Sequence, residues 1–231
     1  MLKDFIKRLP VVGPAAAAIH RMVRPKRFSG SKDYWEERYQ SGGDSGPGSY
    51  GPFAEFKAEV LNGLVREHGI RSVIEFGCGD GNQLTLAQYP SYTGYDVSET
   101  ALTRCRTRFA GDATKRFRPM RDYDGEQAEL ALSLDVVYHL VEDEVFETYM
   151  RTLFAASTRF VVVLASDRDD IPMTPADHVR HRQWTPWVAR NMPEWQLARH
   201  IENRYPYRGD SRTGSFADFY VFQRAIPPTG A

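Results

Sequence analysis

The stretch Val73-Ile74-Glu75-Phe76-Gly77-Cys78-Gly79-Asp80-Gly81 is an apolar run with one acidic residue in it that breaks into a glycine-rich turn. A buried strand that ends this way must leave its sheet sharply, let its backbone approach a ligand and start a new element. Glycine permits the turn because it has no Cβ to clash. A second apolar run, Tyr92-Thr93-Gly94-Tyr95, ends at Asp96, about twenty residues further on. A carboxylate there takes hydrogen bonds from two adjacent hydroxyls, as on a ribose. The two stretches together describe a nucleoside-binding crevice at the carboxyl ends of neighbouring parallel strands. The bland alternative is a tight strand-to-helix turn with no ligand.

The glycine spacing narrows the reading. Gly77, Gly79 and Gly81 alternate with Cys78 and Asp80, and Asn82 follows. A dinucleotide fingerprint, Gly-x-Gly-x-x-Gly, would put a pyrophosphate on the helix start, and that pattern fails here. On these residues the chain resembles the class I S-adenosylmethionine-dependent methyltransferases. Their first motif runs acidic-x-Gly-x-Gly-x-Gly, and an acidic residue ends their second strand. The resemblance implies S-adenosyl-L-methionine as cofactor, which has a ribose but no phosphate, so the loop need not bind an anion. It covers about residues 29–226.

The rest of the chain alternates helix and strand patterns, which argues an α/β fold, doubly wound, with helices on both faces of a mostly parallel sheet. Helices are expected over 31–39, capped by Ser31, and over 52–67, where Phe53, Phe56, Val60, Leu61 and Leu64 share one face. Residues 41–51 read as a flexible loop. Strands are expected at 72–76, 92–96, 116–118, 129–134 and 159–165. Helices are expected from near Asn82, over 98–109 with Ser98 as N-cap, and over 142–156. The last two strands, 195–202 and 216–224, have only a loop between them and should pair antiparallel. This order matches the seven-stranded sheet with a C-terminal antiparallel hairpin that the resemblance implies. Three parts follow: a basic extension (1–28), N-terminal helices and lid (29–71), and a core (72–226).

Composition bounds the function. Lysine plus arginine and aspartate plus glutamate balance at 30 each in 231 residues, so no electrostatic footprint for nucleic acid is expected. Cys78 and Cys105 are the two cysteines, and no structural disulfide is expected, which suits the cytoplasm. In residues 1–28, seven basic side chains face the single acid Asp4. That segment resembles a signal peptide, a reading disfavoured because the cofactor is made and kept in the cytosol. The other readings are a peripheral contact with an anionic inner-membrane surface and a loosely docked terminus.

By resemblance, Glu75, Gly77, Cys78, Gly79 and Gly81 line the methionine and ribose side of the cofactor. Asp96 holds the ribose hydroxyls and Val97 lies beside the adenine. Asp122 fits a polar contact to the adenine amine, with Tyr123 as a stacking ring, or is an ordinary turn aspartate. Asp135 and Val136, after the fourth strand, lie against the cofactor. Trp35, with Tyr39, and Tyr50 resemble an aromatic lid, or else Trp35 and Tyr39 dock a surface helix.

Methyl transfer from a sulfonium is an in-line displacement, so the protein mainly supplies alignment and removes water. A hydroxyl acceptor also benefits from a general base, and histidine suits that role near neutrality. His139 sits just past the fourth strand. His178 and His181 lie after the fifth, in a region that commonly faces substrate in the family. His139 is otherwise a packing residue. The run Asp177-His178-Val179-Arg180-His181-Arg182 is otherwise a solvated helix face or a cationic pocket for a carboxylate or phosphate. No metal site is expected. The Asn/Asp-Pro-Pro-aromatic tetrad of DNA-base amino-methyltransferases is absent after the fourth strand. The expected acceptor is a small molecule, sugar or glycan, methylated on oxygen. The alternative from another class is a catalytically silent cofactor-binding scaffold.

Overall fold

The computed structural model describes residues 28, 30–171 and 176–225. The basic segment 1–28, read either as a membrane contact or as a loosely docked terminus, lies outside them save for Phe28. Seven strands form one sheet: β1 (Val73–Phe76), β2 (Tyr92–Asp96), β3 (Lys115–Pro119), β4 (Ala128–Leu134), β5 (Ser157–Ala165), β6 (Trp195–Ile201) and β7 (Asp218–Arg224). Their order is β3-β2-β1-β4-β5-β7-β6. β1 pairs parallel with β2 and β4, while β7 runs antiparallel to β5 and β6. The order reverses between β1 and β4, which is where open α/β sheets leave a crevice outside the strand ends.

Period-two alternation in the central strands sorts side chains into two cores. Val73, Leu130, Leu132, Phe160 and Val162 face one side, where α2 (Gly51–His68) contributes Phe56, Leu61, Leu64 and Val65 and α3 (Glu99–Arg108) contributes Leu102 and Cys105. Ile74, Phe76, Ala131, Val161 and Val163 face the other. There α4 (Asp143–Ala155) adds Phe146, Met150, Leu153 and Phe154, and a short α5 (Thr185–Asn191) adds Val188 beside the fully buried Trp184. All four β1 residues are buried, as a central parallel strand requires.

Ser98 caps α3: its side chain accepts from the Ala101 amide at 3.1 Å. It is completely buried, so no water replaces the hydroxyl. Ser98→Ala is expected to cost about 1 kcal/mol of stability, read as a shift of the urea midpoint at constant slope.

Four expectations need correction. The helix expected from Asn82 is a single tight turn, Gln83–Leu86. Continuing it would require the Leu86 carbonyl to accept from position 90, which is Pro90 and has no N–H. The Asn62 amide takes both chain ends instead, donating to the Leu86 carbonyl and accepting from the Gln88 N–H. Ser31 does not cap the first helix, α1 (Ser31–Gln40), where Gly30 is the N-cap. Its hydroxyl reaches the His139 carbonyl (2.6 Å) and the Glu142 carboxylate (2.9 Å), tying α1 to the loop after β4. Residues 178–182 are not helical. The His178 carbonyl meets His139 Nδ1, and the Arg180 N–H donates to the Tyr138 carbonyl, so the backbone groups a helix needs are spent on that same loop. The loop expected to be flexible at 41–51 is pinned. The Asp80 carboxylate accepts from the Ser45 N–H (3.1 Å) and the Tyr50 hydroxyl (2.7 Å).

Candidate active site

A cavity of about 510 Å³ opens at the carboxyl ends of β1 and β4. The glycine loop forms its floor. Gly77 has φ +85°, and a Cβ there would meet Val136 Cγ2 at 2.4 Å. Gly79 has φ +59°, and its Cβ would meet Ser45 Oγ at 2.3 Å. Only glycine allows the loop to be both left-handed and this close to its neighbours.

Asp96 ends β2 and is buried. One carboxylate oxygen accepts from the Gly79 N–H (2.8 Å) and the other from the Ser98 N–H (2.9 Å). Each oxygen keeps a lone pair toward the cavity, which matches two vicinal hydroxyls of a ribose. Burial pushes the Asp96 carboxyl up to about 6, against the pull of the Ser98, Gly79 and Val97 N–H groups. Glu75, also buried, is pushed up to about 7 by burial, although Tyr92 donates to it at 2.6 Å. An acid raised on folding holds its proton longer in the native state. The native state therefore binds more protons than the unfolded chain between about pH 4 and 7, and stability falls as pH rises. The contribution of these two groups is complete below pH 4 and lost as pH passes their folded values. Urea unfolding of the ligand-free protein at pH 4.5 to 7.5 should show this decline, and Glu75→Gln should flatten it. A Glu75→Gln slope equal to that of the wild type would exclude Glu75 as a source.

The expected site residues divide as follows. Trp35, Glu75, Gly77, Cys78, Gly79, Asp96, Val97, Asp135, Val136 and His139 line this cavity. Four others do not. Tyr50 points at Asp80. Gly81 lies against Cys105 and Phe109. Asp122 is exposed beside Arg121. The Tyr123 ring lies edge-on to Phe76 and Tyr95 (5.2 and 5.4 Å), with its hydroxyl on the Glu126 carbonyl. Trp35 meets the His139 ring edge-on at 4.9 Å, and the buried Tyr39 bonds Ser45 at 2.9 Å beside Gly79, both lining the cavity.

His178 and His181 line a second cavity of about 300 Å³. Lys57, Asp135 and His139 line both cavities. Asp135 is the one non-glycine residue among those described with positive φ, +60°. Its carboxylate accepts from Lys57 Nζ (2.5 Å) and from the Tyr138 hydroxyl (2.9 Å), which hold the strained backbone in place. Lys57, buried on α2, was not expected. Its signal was present: it lies four residues after Phe53 and four before Leu61, on the apolar stripe, where a lysine needs a partner.

His139 is half-buried and lines both cavities, and burial pushes its pKa down to about 4. Its Nδ1 lies 3.1 Å from the His178 carbonyl. A carbonyl cannot donate, so Nδ1 carries the proton and the Nε2 lone pair is free. His178 stacks on Tyr34 at 4.0 Å and bonds its hydroxyl (3.1 Å), and His181 Nδ1 meets Ser166 Oγ at 2.6 Å. Among the described residues, no group of three His, Cys, Asp or Glu is placed to hold a metal ion, and no helix is long and apolar enough to cross a membrane.

No family model matches the chain. It is 32% identical over 91 residues to the mouse (Mus musculus) protein named EEF1A lysine methyltransferase 4, covering 38% of this chain and 34% of that one. The match spans about a third of that curated relative. Among solved structures, the N-methyltransferase NodS of Bradyrhizobium japonicum in complex with S-adenosylhomocysteine aligns with a TM-score of 0.65 at 16% identity, over 85% of this chain and 99% of that one. Magnesium protoporphyrin IX methyltransferase of Synechocystis with bound S-adenosylmethionine aligns with a TM-score of 0.60 at 15% identity, over 87% and 100%. The chain has the Rossmann-like fold of these methyltransferases.

Proposed function

We propose that the protein is an S-adenosylmethionine-dependent methyltransferase that methylates oxygen on a small-molecule, sugar or glycan acceptor. The observation that carries the donor is Asp96, buried, bonded to the Gly79 amide and lining the larger cavity. The fold shared with solved methyltransferases and the matched stretch of the mouse relative support it.

When bound, S-adenosylmethionine supplies a methyl group on a sulfonium whose sulfur is the leaving group. Asp96 accepts from the ribose hydroxyls, and Glu75 adds an acidic side chain at the same floor. Trp35 and Tyr39 on α1 cover the mouth and exclude water. His139, fixed in one tautomer by the His178 carbonyl, presents Nε2 as the proton acceptor.

The strength of that base favours oxygen over nitrogen. A hydroxyl becomes strongly acidic as its oxygen bonds to the methyl carbon, so a base of pKa about 4 suffices. An alkylammonium must lose its proton before it can attack. Taking a proton from a lysine of pKa ~10.4 would be uphill by about 9 kcal/mol for such a base.

A second reading, methylation of a protein lysine, is favoured by the name of the mouse relative. Methyl-labelled cofactor incubated with fractionated extract of the source cell separates the two. Acid hydrolysis leaves methyl-lysine as an amino acid, whereas an O-methyl product stays with the sugar or small-molecule fraction. Label found only in methyl-lysine would end the oxygen reading.

A further inference from the structure

We propose that the 300 Å³ cavity is the acceptor chamber, that it takes one neutral ring bearing a hydroxyl, and that Lys57 holds the reacting oxygen at the wall it shares with the larger cavity. This rests on the reading of the larger cavity as the donor site.

Position comes first. Lys57, Asp135 and His139 face both spaces, so a group moving from one to the other passes these three side chains. Size comes next. A cavity of 300 Å³ lies at the low end for ligand sites and suits one ring rather than a stretch of peptide. Its walls include the rings of Phe53, Phe56 and Phe216. Phe216 is backed by Tyr207, stacked at 4.0 Å, which gives the ring of an acceptor a rigid platform.

Charge sets the ligand class. Among the described residues, the charged side chains lining the chamber are Lys57 and Asp135, which neutralise each other at 2.5 Å. His139, His178 and His181 all have their pKa pushed down by burial and are neutral at pH 7. A cationic amine finds no unpaired carboxylate, and an anion finds only an ammonium already paired.

Lys57 supplies the polar contact. Its ammonium has three donors, and among the described residues its one hydrogen-bond partner is Asp135. Asp135 also accepts from the Tyr138 hydroxyl on its other oxygen. The remaining Lys57 donors serve the cavities that the side chain lines. In the transfer, one oxygen lone pair accepts from Lys57 and the other forms the O–CH3 bond. The S–CH3 bond breaks with its electron pair kept by sulfur, and the hydroxyl proton passes to His139 Nε2.

The test uses the full chain saturated with S-adenosylhomocysteine and saturation-transfer NMR. The probes are methyl glucoside, p-cresol, toluene and n-butylammonium. At least one hydroxylated ring should give a bound signal and butylammonium none; glucoside against cresol tells sugar from phenol. Phe216→Ala should cut that signal at least fivefold while S-adenosylhomocysteine affinity, measured on the same samples by calorimetry, stays within twofold. The double variant Lys57→Met, Asp135→Asn leaves no buried charge unpaired, and it should lower the ratio of hydroxylated probe to toluene at least fivefold. Silence from both hydroxylated rings, a signal from butylammonium alone, or an unchanged signal in Phe216→Ala overturns the chamber. An unchanged ratio in the double variant overturns the role of Lys57. Wild-type protein that fails to bind S-adenosylhomocysteine overturns the donor reading instead.

Discussion

Asp96→Ala is expected to weaken S-adenosylhomocysteine binding at least 100-fold. The Asp96 carboxylate is the buried anion lining the cavity, and each of its oxygens retains a lone pair after accepting from Gly79 and Ser98. Two ribose hydroxyls use those lone pairs. Hydrogen bonds to a charged group contribute about 1.5–3 kcal/mol each, so losing two costs about 3–6 kcal/mol, and 100-fold in affinity is about 2.7 kcal/mol. The substitution also leaves the Gly79 and Ser98 amides without their acceptor, at about 1–3 kcal/mol each in stability. Urea unfolding of the same sample separates the two effects, because a folded variant still reports affinity by calorimetry. Asp96→Asn should fall between. Its amide oxygen replaces one acceptor, but its NH2 group confronts a backbone N–H. Affinity for Asp96→Ala within tenfold of the wild type would remove Asp96 as the ribose anchor.

Why Asp96 is legible in the sequence and Lys57 is less so is a matter of range. The glycine turn and the acidic strand end are local patterns, and β1 and β2 pair in the register Phe76↔Tyr95 that brings them together. The antiparallel pairing of β6 with β7 is read from the loop that joins them, whereas the seven-stranded sheet is what the family resemblance implies. Lys57 interrupts an apolar stripe, which announces a buried partner but does not say which. Asp135 lies 78 residues away and reaches Lys57 only because α2 packs over the carboxyl end of β4. The segment 178–182 misleads for the same reason. Its local spacing is helical, yet the His178 carbonyl, the Arg180 amide and the Arg182 guanidinium bond the 138–141 loop, a contact no local pattern encodes. Tyr50 was expected at the cofactor on its glycine-rich surroundings. The structure instead turns its hydroxyl to Asp80, where it fastens the loop before α2 to the glycine turn.

His139→Asn is expected to lower methyl transfer by roughly 10²–10⁴-fold, the usual span for a general base, with S-adenosylhomocysteine affinity changed less than threefold. Asparagine suits the test because its side-chain N–H can still donate to the His178 carbonyl, as His139 Nδ1 does at 3.1 Å, but it offers no basic lone pair. Alanine would also empty the space between Trp35 and His178, whose rings flank His139 at 4.9 and 5.4 Å, and so confuse a lost base with a loosened lid. The pH dependence gives a second reading of the same residue. With a folded pKa depressed from 6.5 to about 4, His139 is a competent base throughout the neutral range and is lost only as pH falls through about 4. Its contribution to stability has the same sign: it is present above the unfolded value near 6.5 and disappears as pH falls through the folded one. An inflection of labelled-methyl transfer between pH 6 and 7 belongs to Asp96 and Glu75, pushed up to about 6 and about 7, and should persist in His139→Asn. Any acid limb that the wild type shows between pH 4 and 5 should be missing from the residual rate of His139→Asn. A His139→Asn rate within threefold of the wild type would move the base away from His139 and leave His181, which lines the same 300 Å³ cavity, as the side chain to change next.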